Sequence, residues 1–195
     1  MNAELRAELI AMATEDSVVR ERLASDGSLF QRYHPEMEAV HRRNGERLAC
    51  LLDQHGWIGP RTVGEDGAQA AFKIAMHAIS LPALQRRCVA LLRAAHARGE
   101  VPEGPLAFLE DRVRVFEGRP QRYGTQFEFD AQGNMTPAPI EDPAHVNERR
   151  RAIGLDSIEE RTATYRAQQK PEDRPRDPLA QKREFEAWLK SVGWR

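Results

Sequence analysis

His77, Asp111 and Tyr123 are a base, an acid and a phenol, the groups that general acid–base chemistry needs. Histidine titrates near neutral pH, so His77 could take a proton from water or from a substrate hydroxyl. Asp111 could orient that imidazole or protonate a leaving group. Tyr123 or Asn44 could stabilise charge developing on an oxygen. Arg112 carries a planar guanidinium that receives a carboxylate or another anion through paired N–H groups. His41, Asn44, Gln121, Thr125 and Gln126 add imidazole, amide and hydroxyl groups that suit a polar ligand. Neither cysteine reads as a nucleophile: Cys50 falls on the polar side of its helix and Cys88 in a core stripe. The expected chemistry is therefore hydrolysis or group transfer through activated water. Each residue also has a structural reading. A histidine among small apolar residues is commonly a satisfied core group, a buried asparagine commonly ties down nearby backbone, and a half-buried arginine commonly sits in an ion pair.

Metal and phosphate motifs are not evident. His34 and His41 are two helical turns apart, about 10 Å along the axis, too far to share one ion from a single helix. No HExxH spacing occurs, so no metal and no cofactor is expected. Gly64 and Gly67 do not make a phosphate loop: GxxxxGK[ST] is missing, no strand precedes them, and Glu65 and Asp66 would repel a phosphate.

The elements that must position these groups are mostly helical. Leu5, Leu9, Met12, Val19 and Leu23 mark a first amphipathic helix over residues 3–24. Pro35 opens a second that ends before Gly56, with Met37, Val40, Leu48, Leu51 and Leu52 as its buried stripe. His41, Asn44 and His55 project onto that same stripe. A third helix, 68–79, is apolar around most of its circumference and carries His77. A fourth, 83–98, buries Leu84, Cys88, Leu91, Leu92 and Ala95. A fifth, 105–117, turns Leu106, Leu109, Val113 and Phe116 inwards, with Arg112 flanking the stripe and Asp111 at its margin. Beyond Gly118 and Pro120 the chain alternates from Tyr123 to Phe129, turns at Asp130–Asn134 and returns to Ile140, which predicts a β-hairpin over 123–140 with a proline-bearing edge strand. A short helix follows, to Ala152, with Arg149, Arg150 and Arg151 expected on a solvated face. Residues 162–177 read as a polar linker. Residues 178–195 form a last helix whose Phe185, Trp188 and Trp194 must bury against the body or against a second copy as a homodimer.

The fold expected is mainly α: a compact bundle of about five helices over residues 1–161, one hairpin packed at one end, and a C-terminal helical tail. The chain has 195 residues, 41% hydrophobic and 30% charged, with a net charge of −1. That balance argues against general nucleic-acid binding, which needs a basic field. No apolar run approaches the ~20 residues of a membrane span, and the first residues do not read as a secretory signal. Two isolated cysteines read as reduced thiols of a cytoplasmic protein.

Asn44, Gly56-Trp57, Val63-Gly64, His77-Ala78, Gln85, Gly99-Glu100, Asp111-Arg112, Gly118 and Gln121-Arg122-Tyr123-Gly124-Thr125-Gln126 together resemble a widespread bacterial domain family of unknown function. The resemblance spans about residues 5–155. Its most specific pieces are the Asp-Arg pair and the Gln-x-Tyr-Gly-Thr-Gln segment. Family members commonly place Gln before the histidine and an acid shortly after it; here those positions are Met76 and Ser80. The resemblance implies one shared site built from these polar residues. With His77, Asp111 and Tyr123 as catalytic groups, and His41, Asn44, Arg112, Gln121, Thr125 and Gln126 holding substrate, the chain reads as a small enzyme acting on a polar peptide, sugar or nucleotide-like ligand. The alternative is a binding module in which the same residues form a buried network and the aromatic C-terminal helix is the working surface.

Overall fold

A computed structural model describes residues 1–30, 33–170 and 174–195. The chain is mainly α-helical, with one two-stranded antiparallel hairpin and a C-terminal helix. It forms two compact units, Met1–Leu109 and Glu110–Arg195.

In the first unit, α1 (Ala3–Ser25) starts where the Asn2 side chain accepts a hydrogen bond from the Leu5 amide at 3.1 Å. α2 (Pro35–His55) takes Pro35 at its first turn and stops at Gly56, whose φ of +68° suits glycine. α3 runs over Pro60–His77, earlier than the expected start at residue 68. Proline again opens the helix. Gly64, at φ +75° and ψ 172°, then kinks it, and this interruption is what made residues 60–67 read as loop. α4 (Pro82–Ala97) and the first half of α5 (Glu103–Phe116) complete the unit. α1, α2 and α3 all pack on one another. Their core includes Leu9, Leu48, Leu52, Ile74 and Ala75, each fully buried. Gly45 allows the close approach of α2 to the α3–α4 connection. A Cβ there would stand 2.7 Å from a Leu81 methyl and 3.0 Å from Ala78 Cβ. Cys50 is exposed, Cys88 is buried, and both are free thiols.

In the second unit, β1 (Phe127–Phe129) pairs with β2 (Met135–Pro137) in the register Phe127–Pro137, Glu128–Thr136 and Phe129–Met135. α6 covers Val146–Ala152, α7 Ile158–Gln168 and α8 Pro178–Ser191. α7 overturns the linker reading as far as Gln168. Ser157 and Glu160 form a capping box, each side chain accepting the other's backbone N–H, and this starts a helix that composition alone did not indicate. Tyr165 of α7 then meets Phe127 edge-on, ring centroids 4.6 Å apart, so the hairpin packs on a helix that was not expected, and its strands fall inside the expected 123–140 because residues 123–126 form no strand. Residues 171–173, also within the expected linker, lie outside the described residues. The arginine run is corrected as well: Arg151 is exposed, but Arg150 is 2% exposed because α6 turns its middle arginine inwards. Phe116, Phe185, Trp188 and Trp194 form one aromatic cluster, with Phe116–Trp194 centroids 5.2 Å apart. Trp194 is therefore buried against α5 within its own unit, while Trp188 is half-buried and Phe185 stays 37% exposed. No helix among the described residues is long and apolar enough to cross a membrane.

Candidate functional site

The polar residues singled out in the sequence fall into two sets, one in each unit. His41 and His77 come together in the first unit, on Asp16 of α1. His77 Nδ1 lies 2.7 Å from Asp16 Oδ2, and His41 Nε2 lies 3.0 Å from the same oxygen. The two rings stand 4.9 Å apart, tilted by 47°. Asp16 is 1% exposed, whereas the His77 side chain is 28% exposed and reaches solvent. Lys73, one turn before His77, places Nζ 3.3 Å from Asp16 Oδ1 and donates to the Ala13 carbonyl at 3.0 Å and to the Ser17 hydroxyl. Tyr33 Oη sits 2.8 Å from His41 Nδ1.

Three helices hold this cluster, and each does so for a local reason. His77 is the last residue of α3, where the helix dipole favours an imidazolium. Gln85, fully buried on α4, donates its amide to the Ala75 and Met76 carbonyls at 2.7 and 2.9 Å. That satisfies backbone acceptors a helix end leaves open and fixes the turn that carries His77. Asn44 takes the structural role considered for it: its amide donates to the Met12 carbonyl at 3.1 Å, tying α2 to α1 one turn from Asp16.

Burial alone would raise the Asp16 carboxyl. The hydrogen bonds and charges of His41 and His77 outweigh that and hold it far below its ordinary range. A carboxyl depressed in the folded state stabilises the fold above its unfolded value, and the contribution fades as pH falls towards the folded value. Stability is therefore expected to drop from about pH 5 downward, and Asp16→Asn is expected to flatten that drop. Urea midpoints at a series of pH values check this. An equal acid slope in wild type and variant would show that other carboxylates carry it.

Asp16 was legible but missed. It lies seven residues after Leu9 and seven before Leu23, so it falls on the apolar stripe of α1. An acid there is as informative as the asparagine on α2. Tyr33, in the connection to α2, and Lys73 carried no comparable signal.

The second set builds a loop. Asp111, fully buried, accepts from the backbone amides of Arg122 (2.6 Å), Tyr123 (3.1 Å) and Thr125 (3.1 Å), and from the Thr125 hydroxyl (3.0 Å). Gln121, also fully buried, donates to the Gln126 and Ala138 carbonyls and accepts from the Gln126 amide, all at 2.8 Å. Gln126 accepts from Arg112 Nε at 3.0 Å and donates to Thr125 Oγ1 at 3.0 Å. Arg150 donates to the Tyr123 and Gly124 carbonyls at 2.7 and 3.2 Å. Gly124, at φ +67°, lets the turn close: a Cβ there would lie 2.7 Å from an Ile158 methyl. Burial pushes the Asp111 carboxyl up against the opposing pull of these donors. Burial also pushes the Arg112 guanidinium down to about 10, so it remains charged at neutral pH. The carboxylate on His77 Nδ1 is thus Asp16, and Asp111 serves the Gln121–Gln126 loop.

A separate cleft of about 420 Å³ lies in the first unit, lined among others by His55, Trp57, Arg61, Leu91, Arg98 and Glu100. None of the residues expected at a site lines it. A family model described as a family of unknown function (DUF6624) matches residues 3–167. The chain belongs to this family. The DUF6624 match spans both polar sets and ends within α7, leaving α8 outside it. No curated protein and no solved structure matches the chain.

Proposed function

We propose that this DUF6624 chain is a small hydrolase or group transferase in which His77 activates a water or hydroxyl and Asp16 orients the imidazole. One observation carries the reading: a 2.7 Å contact joins His77 Nδ1 to a carboxylate that is almost wholly buried, while the imidazole itself reaches solvent. A carboxylate on Nδ1 fixes the ring and stabilises the imidazolium that forms when Nε2 takes a proton. Lys73 brings a cation to the same carboxylate, where it favours an anionic group on the substrate. Substrates in keeping with this site are polar ones: a peptide, sugar or nucleotide fragment with an electrophilic carbonyl, acetal or phosphoryl centre.

The competing reading, an interaction module working through the C-terminal helix, keeps only the exposed edge of Phe185, because Trp194 is 3% exposed against Phe116. The enzyme reading is tested with chromogenic esters, phosphate esters and glycosides. His77→Ala is expected to lower turnover of any accepted substrate by about 100-fold or more. His77→Gln keeps a donor for Asp16, and it is expected to lose turnover while shifting Tm by only a few degrees. Loss of folding and activity together in both variants would make His77 a core residue.

A further inference from the structure

Asp16, His41 and His77 offer one oxygen and two nitrogens from three different helices, and these ligand atoms lie within 4.8 Å of one another. Both imidazoles converge on one carboxylate oxygen, Asp16 Oδ2. His41 Nε2 stands 3.0 Å from that oxygen, so it faces the same acceptor as His77 Nδ1 does. Each helix supplies a single ligand, so no spacing along one helix marks this set.

We propose that Asp16, His41 and His77 hold a divalent first-row transition ion, with the remaining coordination positions open to water and substrate. Two neutral imidazoles and one carboxylate are the donor set such ions take in catalytic sites. Ligation at about 2.0–2.2 Å in tetrahedral geometry spaces ligand atoms about 3.3–3.5 Å apart. The observed 2.7 and 3.0 Å separations would have to open by about 0.6–0.8 and about 0.3–0.5 Å. The surrounding groups suit ligation too. Tyr33 Oη on His41 Nδ1 fixes the ring so that Nε2 faces Asp16, and Lys73 beside Oδ1 leaves Oδ2 as the ligand oxygen. One carboxylate against a divalent ion and Lys73 leaves net positive charge, which favours hydroxide or an anionic substrate group at the open position.

This inference rests on the hydrolase or transferase reading of the same site and replaces His77 as the activating group: a bound ion lowers the pKa of its water. In the loaded protein His77 is a ligand and the ion activates the water. Loss of His77 removes turnover under either account, so ion binding must be measured by itself. The full chain, stripped with a chelator and dialysed, is titrated with Zn²⁺ by calorimetry and followed through the ring ¹⁵N resonances of its six histidines. The expected result is one Zn²⁺ per chain, with ring shifts confined to His41 and His77. Tyr33→Phe, which leaves all three ligands in place, is expected to weaken binding about 10-fold or more. Co²⁺ is expected to give a visible absorption band that His41→Gln removes. Because the ring resonances are read on the wild-type chain, a variant that fails to fold does not block the test. No saturable Zn²⁺ binding overturns the site, as do shifts at His34, His55, His96 or His145 in place of the two ligands. His77-dependent turnover that survives chelation, with no Zn²⁺ uptake, removes the ion and leaves the acid–base reading standing. Zn²⁺ held by His41 and His77 without any His77-dependent turnover does the reverse.

Discussion

Asp111→Ala is expected to lower the unfolding free energy by about 3–5 kcal/mol, because it strips a buried acceptor from four donors at once. The Arg122, Tyr123 and Thr125 amides and the Thr125 hydroxyl all end on this one carboxylate. Each buried donor left open costs about 1–3 kcal/mol, less whatever water recovers. Asp111→Asn is the sharper variant. It preserves volume, but its amide N–H₂ would face donors, so most of the loss should remain. Thr125→Ser retains the hydroxyl and should cost under about 1 kcal/mol. Trp188 and Trp194 report on this unit and Trp57 on the other, so urea unfolding in a Trp57→Phe background isolates the transition of interest. A loss within about 1 kcal/mol for both Asp111 variants would show that the loop is held by something other than this carboxylate.

That prediction also shows why Asp111 was misread from sequence. Its helix periodicity puts it at the margin of the buried stripe, where an acid is free to orient a histidine or protonate a leaving group. What buries it is a chain return 11–14 residues later, and no helical period reports that. Gly118 and Pro120 announce a break, and the polar run Gln121–Gln126 announces that polar groups gather there, while Gly124 reads as part of a strand. They did not say that the satisfied groups would be the loop's own amides. α2 was legible at both ends, since Pro35 and Gly56 act through local φ preferences. His77 was legible as a histidine at the end of an apolar helix, but its partner was not. Asp16 is 61 residues away on a helix read only for its hydrophobic positions. α7 was hidden by composition: its capping box was present in Ser157 and Glu160, but few apolar residues follow, because a helix with one large face on a short hairpin needs few.

The second large effect concerns Arg150. It donates Nε to the Asp156 carbonyl at 2.6 Å, Nη2 to the Asp156 carboxylate at 3.0 Å, and Nη1 to two loop carbonyls. Arg150→Ala is expected to cost about 3–5 kcal/mol, since it leaves those acceptors buried and opens a cavity beside Tyr123. Arg150→Lys separates charge from geometry. An ammonium cannot reproduce the fork that bridges Asp156 to the Tyr123 and Gly124 carbonyls, so lysine should recover less than half of the loss. Asp156→Ala should cost much less than Arg150→Ala, because the Asp156 backbone carbonyl and the two loop carbonyls still receive the guanidinium. The double variant then decides the question. If Arg150 acts mainly through Asp156, the double variant is no worse than Arg150→Ala alone. If it acts mainly through the loop carbonyls, the two losses add, and Arg150→Ala by itself should broaden the amide resonances of residues 121–126. Asp111 holds that loop by its N–H groups and Arg150 by its C=O groups. The turn is thus clamped by opposite charges on opposite sides of its peptide dipoles. Removing either charge should loosen the same six residues.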